Sequence, residues 1–319
     1  MKKIVIPNTV QVPLNYDIAQ CLETIKSDAG VMPLLWNAPE ARTINQVANK
    51  KSIIDLFDEV APDILFVLSS HLNESFKIVC DEFDFKYVLI GGYWPKDENQ
   101  NFVKFSKEPS AIITHDAFLP QDQNIETFFP QTEVEPIVIR HGARLSQIQG
   151  AKHDPAMECE VLILTGGMTG KANEINTLDF LTTTYQTKLV GPTIGNHHYL
   201  GEVTMVERAD FINSAHVLVD FSGQEFWDAA YLKTPAISFV PARPHLLVPK
   251  NFKELKENID SLLNNKMVRD NYIQTCYDDV CNKNTYHHFI AEIFDSIGEQ
   301  SVGDNIRNKT QEFINDRNS

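Results

Sequence analysis

The sequence is short of several things. No run approaches the ~18 continuous apolar residues of a membrane-crossing helix. Met1-Lys2-Lys3-Ile4-Val5-Ile6-Pro7 is too short for a secretory leader and reads as a first strand. Cysteine is sparse: Cys21, Cys80, Cys159, Cys276 and Cys281 are scattered and odd in number, without metal-ligand or redox spacing. They are expected as reduced thiols in a cytoplasmic protein. Positive charge is also short, with 28 Lys and Arg against 43 Asp and Glu and a net charge of −15. That balance disfavours a generally basic nucleic-acid binder and leaves only a local basic cleft open. There is no short-period repeat and no low-complexity tract. What remains is globular: 319 residues, 43% apolar and 22% charged. A single core stops growing near ~250–300 residues, so two domains are expected.

The first half repeats one pattern. Apolar runs at 4–6, 31–36, 64–68, 87–90, 111–114 and 137–139 lack strict polar alternation, as expected for parallel strands covered on both faces. Helices are expected between them at 14–27, 45–59 and 74–84, and a polar loop or lid at 94–109. Residues 142–158 break the rhythm and read as an interdomain connection. A second series follows, with strands at 161–164, 188–190, 217–219 and 237–240 and helices at 172–185, 205–214, 224–232 and 252–263. Late helices are expected at 268–280 and 286–297. The fold class is therefore α/β: two Rossmann-like doubly wound domains facing across a cleft. The expected division is 1–150, then 151–298 with late helices that pack back on the first domain, then a polar tail or weak helix at 299–319.

Two loops carry chemistry. Val161-Leu162-Ile163-Leu164 runs into Thr165-Gly166-Gly167-Met168-Thr169-Gly170-Lys171 and then a helical segment. Glycines let backbone approach a ligand closely, and a helix start offers free N–H groups to phosphate. Thr169 or Lys171 would add a donor. The spacing fits neither a Walker A loop nor a dinucleotide fingerprint, which argues against ATP hydrolysis and a Rossmann dehydrogenase. A plain tight turn is the alternative. The second loop, Asp220-Phe221-Ser222-Gly223-Gln224, ends the strand at 217–219 and opens a helix. Ser222, Gly223 and Gln224 would meet phosphate, and Asp228, one turn into the helix, would accept from a ribose diol. Glu225 reads more simply as a helix-start acid and Trp227 as core.

Together these residues resemble the C-terminal domain of GT-B glycosyltransferases, the group containing the bacterial lipid-linked N-acetylglucosaminyltransferase of peptidoglycan synthesis. Gly166 to Lys171 matches that group's Gly-rich loop, with Met168 and Lys171 departing from its hydroxyl and small residue, and Asn176 resembles a later Asn. Ala209-Asp210, Val217-Leu218-Val219, Ser222-Gly223, Asp228, Ala230, Pro235-Ala236 and Val240-Pro241 follow the second family pattern, one residue short after Ser222. Leu200 to Val203 stand where backbone contacts the base, and residues 283–288 resemble a closing segment of another GT-B branch. The resemblance spans residues 159–297.

It implies a glycosyltransferase that moves a sugar from a nucleotide diphosphate sugar, with a UDP-sugar as one candidate, to a glycan, lipid-linked or small-molecule hydroxyl acceptor. The donor contacts would be Gly166, Gly167, Thr169, Gly170, Lys171, Val203, Ser222, Gly223, Gln224 and Asp228. No tightly bound cofactor and no metal is expected, since adjacent pairs such as His197-His198 and His287-His288 share one ion poorly. Peripheral membrane contact stays open. An inverting transfer needs a general base. Ser69-Ser70-His71, His115-Asp116 and Arg140-His141 are the candidate places, with Asp116 favoured as base and His115 or His71 as orienting or donor-contact residues. A nucleotide-sugar epimerase or hydrolase of the same fold, and a non-catalytic nucleotide or sugar binder, are the alternatives.

Overall fold

A computed structural model describes residues 1–8, 13–37, 52–91, 104–115, 134–139, 141–240 and 247–318. The chain divides into two compact units, one of residues 1–140 and 287–312, the other of residues 141–286 and 313–319.

The first unit is built on six parallel strands: β1 (Lys2–Pro7), β2 (Val31–Trp36), β3 (Ile64–Leu68), β4 (Lys86–Ile90), β5 (Ala111–His115) and β6 (Pro136–Ile139). Their order is β2-β1-β3-β4-β5-β6. The expected apolar runs supply all six. Every residue of β3 is buried, which is why its sequence has no polar alternation. Helices α1 (Pro13–Ile25), α2 (Ile53–Val60) and α3 (Glu74–Glu82) return the chain between strands. Val5, Leu65, Val67, Leu89 and Ile112 pack on one face against Ile53, Leu56 and Phe57 of α2 and Phe76 and Val79 of α3. Alternate residues such as Phe66 point to the other face. There Phe294 of α10 (Tyr286–Ser296) closes on Phe66 with ring centres 6.2 Å apart.

The second unit has four parallel strands, β7 (Cys159–Leu164), β8 (Thr187–Val190), β9 (Ala215–Asp220) and β10 (Ala236–Ser238), in the order β10-β9-β7-β8. Val161, Ile163, Val217, Val219 and Ile237 face α5 (Ala172–Thr184) and α8 (Phe252–Asn264), with Leu255, Ile259 and Leu262 spaced for one helix face. Leu162, Leu164 and Leu218 face α6 (Met205–Ser214), α7 (Glu225–Tyr231) and α9 (Lys266–Lys283).

One expected boundary moves, and the late segments are shared between the units. Residues 142–158 belong to the second unit and carry α4 (Leu145–Ile148); the handover comes earlier, at 140/141. The late residues 287–312 belong to the first unit. The segment after Gly298 is a helix, α11 (Gln300–Asn318). Val302, Ile306, Thr310, Phe313 and Ile314 are buried at three- and four-residue steps, so its polar composition hides a narrow apolar stripe. No helix among the described residues is long and apolar enough to cross a membrane.

Candidate functional site

In an open parallel sheet the ligand crevice lies at the carboxyl edge, where strand order reverses. In the second unit that point is between β7 and β9, because β8 lies on one side of β7 and β9 on the other. The two loops singled out by sequence leave these strands, and they touch. A Cβ placed on Gly167 would stand 2.4 Å from Ser222 Cβ, so only glycine permits the approach. Gly166 is exposed and a Cβ there would meet nothing. Gly191, at the end of β8, has φ +117 and lies against Thr165, whose hydroxyl donates to the Pro192 carbonyl at 2.7 Å.

The remainder of the first loop is used differently from the expected phosphate cradle. The Glu174 carboxylate accepts from the Thr169 amide at 2.8 Å, the Lys171 amide at 3.1 Å and the Thr169 hydroxyl at 3.1 Å. Burial works to raise its pKa, but the hydrogen bonds from Thr169, Lys171 and Gly170 outweigh it and hold the carboxyl below its usual range. Thr169, Gly170 and Lys171 therefore already hold an anion, one supplied by the chain. Lys171 is the exposed N-cap of α5 and Glu174 its third residue, so the capping spacing was legible.

The second loop is braced from beneath. Asp220 is buried; its Oδ1 accepts from the Ser222 amide at 2.8 Å and hydroxyl at 3.0 Å, and its Oδ2 from the Phe226 amide at 3.1 Å. The Ser222 hydroxyl in turn accepts from the Gln224 amide at 3.0 Å. Gly223 takes φ +81 below Val240. Burial, and then the neighbouring Glu225 carboxylate, push the Asp220 pKa up to about 7.

Asp228 departs from its expected role. It is wholly buried and committed: Oδ1 accepts from the Arg144 amide at 3.0 Å, and Oδ2 from Arg144 Nε at 2.9 Å and from the same guanidinium's Nη2. A ribose diol has no open acceptor there. Glu225, one turn earlier, pairs with Arg208 through Oε1; its buried Oε2 has no N–H partner, but the carboxyl shares a hydrogen bond with that of Asp220. Arg208 Nε is likewise unpartnered, and burial, then the charge of Arg144, lowers the Arg208 pKa. Two guanidinium groups and three carboxyl groups thus lie under the second loop. Sequence reading missed Arg144 and Arg208 because the Arg144–Asp228 pair spans 84 positions.

Gln224 is also engaged within the unit. Its Nε2 donates to the Gly142 carbonyl at 2.8 Å, and its Oε1 accepts from the Tyr286 hydroxyl at 2.9 Å and lies 3.1 Å from His141 Nδ1. Val203 packs its side chain against the core. His197 holds Asp179 of α5 at 2.9 Å, and His198 is exposed. Among the described residues no group of three or more His, Cys, Asp or Glu is placed to hold a metal ion.

Of the first-unit candidates, His71 is 1% exposed in a 3₁₀ turn (Ser69–His71) after β3. Its Nδ1 accepts from the Leu68 amide at 3.2 Å, which puts the proton on Nε2. Burial lowers its pKa to about 4. The ring is a neutral donor, not a base. His115 ends β5 with its backbone opposite Ile139. Asp116 and Arg140 lie outside the described residues, and His141 belongs to the second unit.

No protein-family model matches the chain, and no curated protein matches it. Solved structures do. A glycosyltransferase from Rickettsia africae aligns with TM-score 0.63 at 11% identity, over 94% of this chain and 98% of that one. The Anabaena protein HepE, crystallised with UDP and glucose, aligns with TM-score 0.57 at 11% identity, over 93% and 100%. A UDP-GlcNAc 2-epimerase from Neisseria meningitidis, bound to UDP-GlcNAc, aligns with TM-score 0.50 at 11% identity, over 98% and 100%. At these identities the likeness shows the fold: two parallel-sheet α/β domains, as in GT-B glycosyltransferases and UDP-GlcNAc 2-epimerases.

Proposed function

We propose that the protein is a glycosyltransferase: the second unit holds a nucleoside diphosphate sugar, and the first unit presents a hydroxyl acceptor. The observation that carries this reading is the contact of Gly167 with Ser222 at the point where strand order reverses. Two loops ending adjacent strands there offer backbone to one ligand. The diphosphate lies on the exposed side of Gly166 and Gly167, against Ser222 and Gly223. Thr169, Gly170 and Lys171 contribute if Glu174 yields its N–H groups. Glu225, one turn before Asp228 on the same helix, replaces it as the diol acceptor once its carboxyl is released from Asp220. Asp228 and Arg144 position the helix that carries Glu225. Lys171 and the loop N–H groups stabilise charge as it develops on the leaving diphosphate. Asp116 remains the proposed base and His115 its neighbour, while His71 serves as a neutral hydrogen-bond donor.

The same donor site suits a UDP-sugar epimerase, and epimerases stand among the fold neighbours. Isothermal titration with UDP, GDP, ADP and dTDP, followed by product analysis of the donor that binds, tests both readings. One nucleotide should bind selectively, and Glu225→Gln should weaken it. Sugar transferred only when acceptor is present supports the transferase. A changed sugar on the nucleotide without acceptor supports the epimerase. No nucleotide binding by folded protein removes both.

A further inference from the structure

The described part of residues 1–139 contains four buried side-chain polar atoms without a partner: Asn15 Oδ1, Ser69 Oγ, His71 Nε2 and Thr114 Oγ1. An unpaired buried polar atom is costly and uncommon in a native fold. All four stand on segments at the carboxyl edge of the six-stranded sheet. Asn15 stands in the first turn of α1 and donates its amide to the Pro7 carbonyl at 3.0 Å, at the end of β1. Ser69 and His71 follow β3, and Thr114 is near the end of β5.

The register puts them in a row. Leu68 pairs with Ile90 and Ile90 with Ile113, so the next residues along, Ser69, Gly91 and Thr114, lie side by side on β3, β4 and β5. Gly91 is the floor between the two hydroxyls. It has φ +154, and a Cβ on it would stand 2.5 Å from Ser69 Oγ. His71 closes the row toward β2, with its ring 4.9 Å from Trp36. Strand order reverses between β1 and β3, so the row lies beside the switch point of this sheet.

The chemistry of the set is specific. Two hydroxyls can each donate and accept, the amide oxygen accepts, and imidazole Nε2–H donates. None of the four carries charge, since burial keeps His71 neutral down to about pH 4. With an amide acceptor and no cation, the set is not matched to a phosphate or carboxylate. A neutral ligand with several adjacent hydroxyls satisfies donors and acceptors together.

We infer that Asn15, Ser69, His71 and Thr114 form a second ligand site, within the first unit, for a neutral polyhydroxylated group such as an unmodified sugar ring. As the acceptor subsite of a sugar transferase the assignment rests on the function proposed above. As a binding site it stands without it.

Full-length protein is titrated calorimetrically, without nucleotide, with glucose, galactose, mannose and N-acetylglucosamine, and with glucuronate and glucose 6-phosphate as charged counterparts. At least one neutral sugar should bind, and its charged counterpart should bind about tenfold or more weakly. Ser69→Ala and Thr114→Val should each weaken the neutral sugar by about tenfold while raising the melting temperature of the free protein, because each removes a buried unpaired hydroxyl. UDP titration of the same variants should match wild type. If UDP fails to bind anywhere but the sugar binds, the transferase reading falls and this site remains. The inference is overturned if no neutral sugar binds, if charged sugars bind equally, or if both variants lower the melting temperature and leave sugar binding unchanged. That last result would assign the row to buried structural water.

Discussion

Gln224 Oε1 accepts the Tyr286 hydroxyl at 2.9 Å, joining the tip of the second loop to the last residue of the second unit's long segment. The same side chain reaches Gly142 and His141, where that segment begins. The two strands of chain that enter and leave the unit also bridge directly: the Ala143 amide donates to the Asn284 carbonyl at 2.9 Å and the Tyr286 amide to the Ala143 carbonyl at 3.1 Å. Gln224→Ala removes the side chain's hydrogen bonds at once, whereas Tyr286→Phe removes one, worth about 1 kcal/mol. Hydrogen exchange at the Ala143 and Tyr286 amides should accelerate more in Gln224→Ala than in Tyr286→Phe. Equal protection in both would show that backbone pairing alone holds the crossing.

The Arg144–Asp228 pair is expected to dominate the stability of the second unit. Arg144→Ala removes the guanidinium hydrogen bonds to this buried carboxylate and leaves it only the backbone amide of residue 144 and Arg208, 4.0 Å away, at a cost of about 3–5 kcal/mol. The double variant Arg144→Met, Asp228→Leu should recover most of that loss, because both charges leave together. Urea denaturation of the two variants checks the pair. A double variant as unstable as Arg144→Ala would mean that packing, not charge, is what Arg144 supplies.

Gly166 and Gly167 form a matched test of the loop contact. Gly167→Ala drives a Cβ into Ser222 and should cost about 1–3 kcal/mol, with weaker nucleotide binding. Gly166→Ala meets nothing within 4 Å and should change stability little. Thermal melts and nucleotide titration of both variants separate a steric requirement from a general intolerance of substitution.

Glu174 already occupies the N–H groups of Thr169 and Lys171. A diphosphate meets both that competition and a like charge. Glu174→Gln should tighten UDP binding about two- to fivefold, the scale of a charge at a helix N-terminus. Weaker binding in this variant would assign Glu174 to shaping the loop instead.

Two buried groups give opposite pH slopes to stability. The Asp220 pKa is raised in the folded state, so the fold binds a proton that the unfolded chain has lost. Its contribution is complete below about pH 4 and is lost as pH rises through about 7. The His71 pKa is lowered, so the unfolded chain binds the extra proton, and stability falls as pH drops from 6.5 toward about 4. Chemical denaturation between pH 4 and 8 should therefore show that Asp220→Asn removes a decline toward neutral pH. A variant with an unchanged pH slope would contradict the burial of a shared proton beside Glu225.

The strand series was legible because strands covered on both faces write themselves as unbroken apolar runs, as in Ile64 to Leu68. The two glycine loops were legible because glycine at close approach is a local requirement. The charge network was not, because Arg144 and Asp228 meet only once the sheet has formed. Asp228 matched a spacing pattern, yet tertiary pairing took its carboxylate for structure. Helix α11 was underread because a five-residue stripe is diluted by the polar residues around it. The polar row at Ser69, Gly91 and Thr114 is set by strand register, which no linear spacing records.

The return of residues 287–312 to the first unit has a consequence for biosynthesis. The strands of that unit leave the ribosome first, but Phe294, which covers Phe66, is made after the whole of residues 141–286. Until then the part of the earliest sheet that Phe294 covers lacks its partner, and exposed apolar surface of this kind invites aggregation. The unit begun first is the one finished last, and a premature stop beyond residue 285 would strike the amino-terminal half of the protein, far from the lesion in the message.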